Sequence, residues 1–88
     1  MVSGAQIRAA RALLGISAAE LAHISGVGHR TLQRFEATDG VPEARTVVLQ
    51  QLIIALESKG IVFQGDPINS PGVQLRRGAD SKGRNFEK

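Results

Sequence analysis

Four side chains that can donate hydrogen bonds lie within six residues of one another, at His29, Arg30, Gln33 and Arg34. Arginine can form paired hydrogen bonds to the edge of guanine, glutamine can form them with adenine, and histidine can donate to an acceptor. Apolar residues are interspersed among them, at Val27, Leu32 and Phe35. On one helix the apolar residues would face inward and the polar ones outward. The pattern therefore favours a helix that contacts base edges, and the major groove of B-form DNA, about 12 Å wide, admits one such helix.

The charges are unevenly distributed along the chain. Residues 1–35 contain four arginines against one acidic residue, whereas residues 36–66 contain five acidic residues against two basic ones. A basic face on one half indicates a polyanionic partner. A charged surface that only keeps the protein in solution is the alternative, and charge alone does not decide between the two.

The composition argues against several other kinds of site. The chain has no cysteine and only two histidines, so we expect neither a metal nor a cofactor. No run approaches the roughly 18 apolar residues that span a bilayer. Charges interrupt the N-terminal apolar pattern, which is not typical of a signal peptide. We also expect no enzyme, because the sequence shows no paired carboxylates, no nucleophile with a base and no phosphate loop.

Capping residues predict three short helices in the first 36 residues. Ser3 can cap the first helix, and Gly15 can end it. Ser17 and Glu20 have the spacing of a capping box, which predicts the start of a second helix. Gly26 supplies the left-handed turn after that helix. The third helix is predicted to begin near residue 28.

A fourth helix is predicted over residues 43–59, and its apolar stripe is unusually wide. The stripe contains Val48, Leu49, Leu52, Ile53 and Leu56, and it is widened by Val47 and Ile54. A few short helices would not cover it, so part of it is predicted to face a second subunit.

The apolar period changes from helical to alternating after Gly60. Alternation in GIVFQG and GVQLRR predicts two short strands joined by GDPINSPG. We favour pairing of these strands across the linker within one chain, and pairing between subunits stays open. The predicted division is a helical domain over residues 1–60, a strand pair for dimerisation over residues 61–77, and a disordered basic tail over residues 78–88. The residues predicted to form the dimer interface are Leu52, Ile53, Leu56, Ile61, Phe63, Val73 and Leu75.

The segment SAAELAHISGVGHRTLQRFE, residues 17–36, resembles the helix-turn-helix core of the Cro/phage-repressor (Xre) family of transcriptional regulators. The matching positions are Ser17, Glu20-Leu21-Ala22, Gly26-Val27, Thr31-Leu32 and Phe35-Glu36. The resemblance extends over about residues 3–59. It implies a mainly α fold, with a four- to five-helix lambda-repressor-like domain followed by a short two-stranded β element.

The resemblance also implies a role for individual residues. The third helix is expected to enter the major groove, with base contacts from His29, Arg30, Gln33 and Arg34. Contacts to the DNA backbone are expected from Ser17, Gly28, Thr31 and Arg8. Arg11 and Glu36 are expected to form a structural ion pair between the first and third helices. Two positions depart from the family pattern: Ala18 replaces a frequent glutamine, and Gly28 replaces a frequent serine or threonine.

One reading helix covers too few base pairs to select a site in a genome, so two copies are expected to bind double-stranded DNA. We predict a homodimer on a palindromic operator, with half-sites about 34–36 Å apart. Analogy with the family favours repression, including repression of its own promoter, by a cytoplasmic protein that lies at the nucleoid when bound. The alternative is an antitoxin or other regulator whose C-terminal region binds a toxin or another protein antagonist.

Overall fold

A computed structural model describes residues 2–38, 40 and 46–76 of the 88-residue chain. Its elements in chain order are the helices α1 (Gly4–Leu14), α2 (Ala18–Ser25), α3 (His29–Glu36) and α4 (Thr46–Glu57) and the strands β1 (Ile61–Gln64) and β2 (Gly72–Leu75). This mainly helical fold with a C-terminal strand pair confirms the predicted fold class. The predicted start of the fourth helix at residue 43, and the predicted tail over residues 78–88, lie outside the described residues.

Two capping boxes fix the beginnings of α1 and α2. The Ser17 hydroxyl accepts a hydrogen bond from the Glu20 N–H at 3.0 Å, and the Ser17 N–H donates to the Glu20 carboxylate at 2.8 Å. Ser3 and Gln6 form the same reciprocal pair at the start of α1, at 3.2 and 2.9 Å. The box at Ser17 confirms the predicted start of α2, and the box at Ser3 adds a partner, Gln6, to the predicted cap.

The core is made of aliphatic side chains contributed by all four helices. Ile7, Leu21, Leu32, Leu52 and Leu56 are the largest fully buried apolar residues. Burying one such side chain contributes about 1.5–3 kcal/mol. The described part of the chain contains no helix long and apolar enough to cross a membrane.

The two strands form an antiparallel hairpin within one chain, which confirms the favoured pairing. Ile61 lies opposite Leu75, and Phe63 lies opposite Val73. These four apolar residues share one face of the hairpin, because side chains alternate along a strand. Ile61 belongs to the buried core, and the other three pack against it, so the hairpin and the helices share one core.

Gln6 attaches the hairpin to the beginning of α1. Its side-chain Nε2 donates to the carbonyl oxygens of Gln64, at 3.1 Å, and of Gly72, at 2.9 Å. Its Oε1 accepts from the Ser3 N–H in the capping box. One buried amide therefore provides a hydrogen-bond partner for a backbone N–H at the start of α1 and for one carbonyl oxygen on each strand of the hairpin.

The loop between the strands is ordered by Asp66. The Asp66 Oδ1 accepts hydrogen bonds from the N–H groups of Ile68 and Asn69, each at 2.8 Å. Both bonds favour the ionised carboxylate and lower the pKa of Asp66, the bond from Asn69 more than the bond from Ile68.

The seven residues predicted to form the dimer interface all lie in or against the core of the single chain. Leu52, Leu56 and Ile61 are buried within a single chain, so a second subunit cannot reach them. The other four predicted interface residues, Ile53, Phe63, Val73 and Leu75, are half-buried against the same core. The structure therefore places Leu52, Leu56 and Ile61 in the core of a single chain, and the dimer interface stays a prediction.

Candidate nucleic-acid interface

The helix α3 is held to the body of the protein by its apolar side. Leu32 and Phe35 are buried within the core. They lie three residues apart and therefore share a face of the helix. Val27, just before the helix, is buried as well. The apolar residues that the sequence pattern placed inward are therefore the residues that fix α3.

The opposite side of α3 presents the four candidate base-contacting residues. His29, Arg30, Gln33 and Arg34 are all exposed. Their spacing of one, three and one residues places them along a single face of a helix with 3.6 residues per turn. Within the described residues, none of the four side chains forms an ion pair or a hydrogen bond with the protein. The face is thus free to contact a partner.

A tight turn sets the angle between α2 and α3. Gly26 has φ of 78°, the left-handed conformation that glycine adopts most readily, and its N–H donates to the Ala22 carbonyl oxygen at 2.9 Å. The Ser25 hydroxyl accepts from the Val27 N–H at 3.2 Å. Ala22 is small and buried, so the two helices can approach closely.

The N-terminal ends of α2 and α3 hold the candidate backbone-contacting residues Ser17, Gly28 and Thr31. Ser17 and Gly28 are exposed, and Thr31 is half-buried. Gly28 occupies the capping position of α3 and supplies no side-chain hydrogen bond. The first N–H groups of a helix lack partners within the helix and lie at its positive end, which suits them to a phosphate oxygen.

Arginines from α1 hold the C-terminal end of α3. The Arg11 Nε lies 2.8 Å from Oε2 of Glu36, and the Arg11 Nη1 donates to the Ile16 carbonyl oxygen at 3.2 Å. The hydrogen bond to Glu36 raises the pKa of Arg11 despite partial desolvation. The two residues predicted as a structural ion pair are thus in contact, and Glu36 is buried.

Arg8 lies apart from the other candidate backbone contacts. Its Nη1 donates to the carbonyl oxygen of Glu36 and lies 3.5 Å from that of Thr38. These carbonyls are at the C-terminal end of α3, whereas Gly28 and Thr31 are at its N-terminal end. These contacts give Arg8 a structural role at the negative end of α3, and its predicted contact with the DNA backbone stays a prediction. We therefore leave Arg8 out of the proposed interface.

One structural role was not foreseen. Gln6 was not singled out at all, although its position three residues after Ser3 is the spacing of a capping box. That signal was available for its bond to Ser3, but no sequence pattern indicates its bonds to the hairpin.

Comparison with known protein families supports the resemblance that the sequence suggested. A family model described as helix-turn-helix matches residues 7–51, just over half of the chain. The match contains all of α2 and α3, most of α1 and the first half of α4. Comparisons with curated proteins and with solved structures found no match. The chain therefore belongs to the Cro/phage-repressor (Xre) type of helix-turn-helix family, whose members are DNA-binding transcription regulators.

Proposed function

We propose that the protein is a sequence-specific regulator that reads double-stranded DNA by placing the exposed face of α3 in the major groove. The observation that carries this proposal is the division of α3 into two sides. One side is fixed by Leu32 and Phe35, and the other presents Arg30 and Gln33, whose side chains have no partner among the described residues. A reading helix needs both sides, because discrimination between bases requires donors held in a fixed position.

The proposed contacts divide into those that choose a sequence and those that supply affinity. Arg30 and Gln33 read base edges, guanine and adenine being their best partners. His29 and Arg34, at the ends of the same face, extend the contact to neighbouring bases. The N–H groups and hydroxyls at Ser17, Gly28 and Thr31 bind phosphates on either side of the groove.

Two copies acting together contact a longer stretch of DNA than one helix can contact alone. A dimer with a two-fold axis reads a palindrome whose half-sites are about 34–36 Å apart, one turn of the duplex. A protein bound in this way can prevent access to a promoter, so we propose repression as the outcome. Its own upstream region is the first operator to examine.

Selection of binding sequences from a random duplex library tests the proposal. The full chain is expected to enrich a palindrome, and footprinting should show protection of two half-sites one turn apart. The Arg30→Ala/Gln33→Ala double variant serves as the control, since both side chains are exposed and their removal leaves the core intact. If the wild type enriches no sequence, or the double variant enriches the same one, the proposal is wrong.

A further inference from the structure

The first turn of α1 lies directly against the backbone at the C-terminal end of α3. Gly4 is buried at this contact. A Cβ built on Gly4 would lie less than 3.0 Å from the carbonyl oxygens of Phe35 and Thr38, a separation that real Cβ atoms essentially never show. Gly4 is a helical residue and is not among the glycines with positive φ. This place therefore requires glycine for its missing side chain and not for its backbone conformation.

The end of α3 differs from the ends of α1 and α2. Gly15 and Gly26 close those two helices in the left-handed conformation, whereas Ala37, the corresponding residue after α3, stays right-handed. The last carbonyl oxygens of a helix need donors from elsewhere when no such glycine supplies them. Arg8 donates to the carbonyl oxygen of Glu36, so a side chain of α1 takes over part of this role. The end of α3 therefore depends on α1 as well as on its own sequence.

The first turn of α1 is fixed to the rest of the protein more firmly than the residues that follow α3. Ser3 and Ile7 are fully buried, and Gln6 bonds to both strands of the hairpin. Ala37 and Thr38, by contrast, are exposed. A substitution that forces the two segments apart is therefore expected to move the end of α3 more than it moves α1.

We infer that Gly4 is a positioning residue for the exposed face of α3, because the close backbone contact that it permits sets the direction of that helix. The inference rests on the proposed function, in which this face reads base edges. A Cβ on Gly4 requires the two segments to separate by roughly 1 Å, whereas a binding site has to be held within roughly 0.5 Å of its productive geometry. Because Gly4 is buried, it acts on DNA only through α3.

The displacement should be largest for the exposed side chains nearest to the C-terminal end of α3. Gly26 fixes the turn before the helix, and the contact with Gly4 lies at the opposite end. Gln33 lies almost one turn nearer to that end than Arg30 does. Replacement of Gly4 is therefore expected to disturb the base contact of Gln33 more than that of Arg30.

Titration of the full chain with the selected operator and with an unrelated duplex tests the inference. Gly4→Ala should bind the operator at least about tenfold more weakly, which corresponds to the loss of roughly one paired base contact. It should bind the unrelated duplex as the wild type does. The preference should fall more at the base pair whose recognition Gln33→Ala abolishes than at the one whose recognition Arg30→Ala abolishes. If Gly4→Ala keeps the wild-type ratio of the two affinities, the inference is wrong.

Two control variants separate positioning from packing and from stability. Gly72→Ala adds the same methyl group in β2, where a Cβ would meet its neighbours at ordinary distances of 3.7 Å or more. Ile61→Val removes one methylene group from the core and lowers the stability from a position in β1. Both should keep the wild-type ratio of affinities at a temperature at which circular dichroism shows that every variant is folded. If Ile61→Val lowers the ratio as much as Gly4→Ala does, the loss reflects stability alone, and the inference is overturned.

Arg8→Met tests the same contact without a clash and serves if Gly4→Ala does not fold. It removes the donor to the Glu36 carbonyl oxygen. Affinity for the operator should fall by a smaller factor than in Gly4→Ala, with little change on the unrelated duplex. Equal weakening on both duplexes would indicate a phosphate contact by Arg8 and would contradict the inference.

Residual dipolar couplings measured without DNA separate the inference from the proposed function. In Gly4→Ala the couplings of the α3 amides should change relative to those of α1, whereas those of α2 and α4 should not. Unchanged couplings in α3 would overturn the inference, whatever the DNA titrations show. If the couplings change but the wild type prefers no DNA sequence, the proposed function is wrong, and the effect of Gly4 on the direction of α3 stands.

Discussion

Arg11 and Glu36 join the first and third helices through a two-point contact. The Arg11 Nε lies 2.8 Å from Oε2, and its Nη2 donates to Oε1 at 2.9 Å. Paired bonds of this kind restrict direction as well as distance. Because Glu36 is the last residue of α3, the ion pair fixes the end of the helix that lies farthest from Gly28. The pair therefore helps to set the orientation of the exposed face of α3.

Removing Arg11 alone should destabilise the protein more than removing both partners. Arg11→Ala leaves the buried Glu36 carboxylate unpaired and should lower the free energy of unfolding by about 2–3 kcal/mol, somewhat less than the cost for a fully buried pair. Replacing both residues with apolar ones, Arg11→Met with Glu36→Leu, should recover most of that loss. Urea unfolding of the three proteins measures the difference. A double variant as unstable as Arg11→Ala would show that the ion pair itself stabilises the fold, and not only that an unpaired Glu36 destabilises it.

Gln6 variants should separate the capping of α1 from the attachment of the hairpin. Gln6→Glu keeps an oxygen for the Ser3 N–H, but its carboxylate faces two carbonyl oxygens that the amide formerly bound. We expect faster hydrogen exchange at the β1 and β2 amides, with little change in the first turn of α1. Gln6→Ala should lose both functions and cost about 1–3 kcal/mol, the penalty for buried groups left without partners.

The contrast between these two variants is the control for the role of Gln6. If Gln6→Glu leaves exchange in the hairpin unchanged, the bonds to Gln64 and Gly72 do not hold the hairpin in place. If it disturbs α1 as much as Gln6→Ala does, the two functions are not separable.

The ends of the helices and the two sides of α3 could be predicted from the sequence because both depend on local chemistry. A capping box needs only Ser17 and Glu20 three residues apart, and the turn needs only Gly26. The two sides of α3 follow from helical periodicity. Each of these signals lies within a few residues of the feature that it specifies.

The segment that covers the apolar stripe of α4 could not be predicted from the sequence. Helical periodicity shows which side of a helix is buried, but it does not show which segment packs against that side. The sequence assigned Leu52 and Leu56 to a dimer interface, whereas the structure buries both in the core of a single chain. The bonds from Gln6 to the hairpin join residues 58 and 66 positions apart. Contacts over such distances depend on the whole fold and leave no local pattern.

Gly28→Ser should stabilise α3 slightly and strengthen binding to every DNA sequence alike. Gly28 has φ of −58° and ψ of 141°, which serine adopts readily, and an added Cβ would lie 3.8 Å from the Thr31 hydroxyl oxygen, an ordinary contact. A serine cap is favoured over glycine by only a few tenths of a kcal/mol. Its hydroxyl also offers a donor to a phosphate, so affinity should rise uniformly, as measured on selected and unrelated duplexes.

Gly28→Ala is the matched control, since it adds the same Cβ without the hydroxyl. Alanine is a poor capping residue, so this variant should be less stable than Gly28→Ser by roughly 1 kcal/mol. An increase in affinity for Gly28→Ala equal to that for Gly28→Ser would mean that the hydroxyl does not contact a phosphate.

Arg30→Ala should weaken binding to the selected operator by about 1–3 kcal/mol and relax the preference at one base pair. The loss should largely disappear on a duplex in which that base pair has been changed, because the paired bonds of arginine to guanine are then absent in both proteins. Arg76→Ala removes the same charge from an exposed position just after β2 and should leave the base preference unchanged. Titrations of both variants on both duplexes measure these effects. If Arg30→Ala weakens all sequences equally and flattens the dependence on salt, Arg30 binds phosphate, and the choice of sequence must come from another residue on α3.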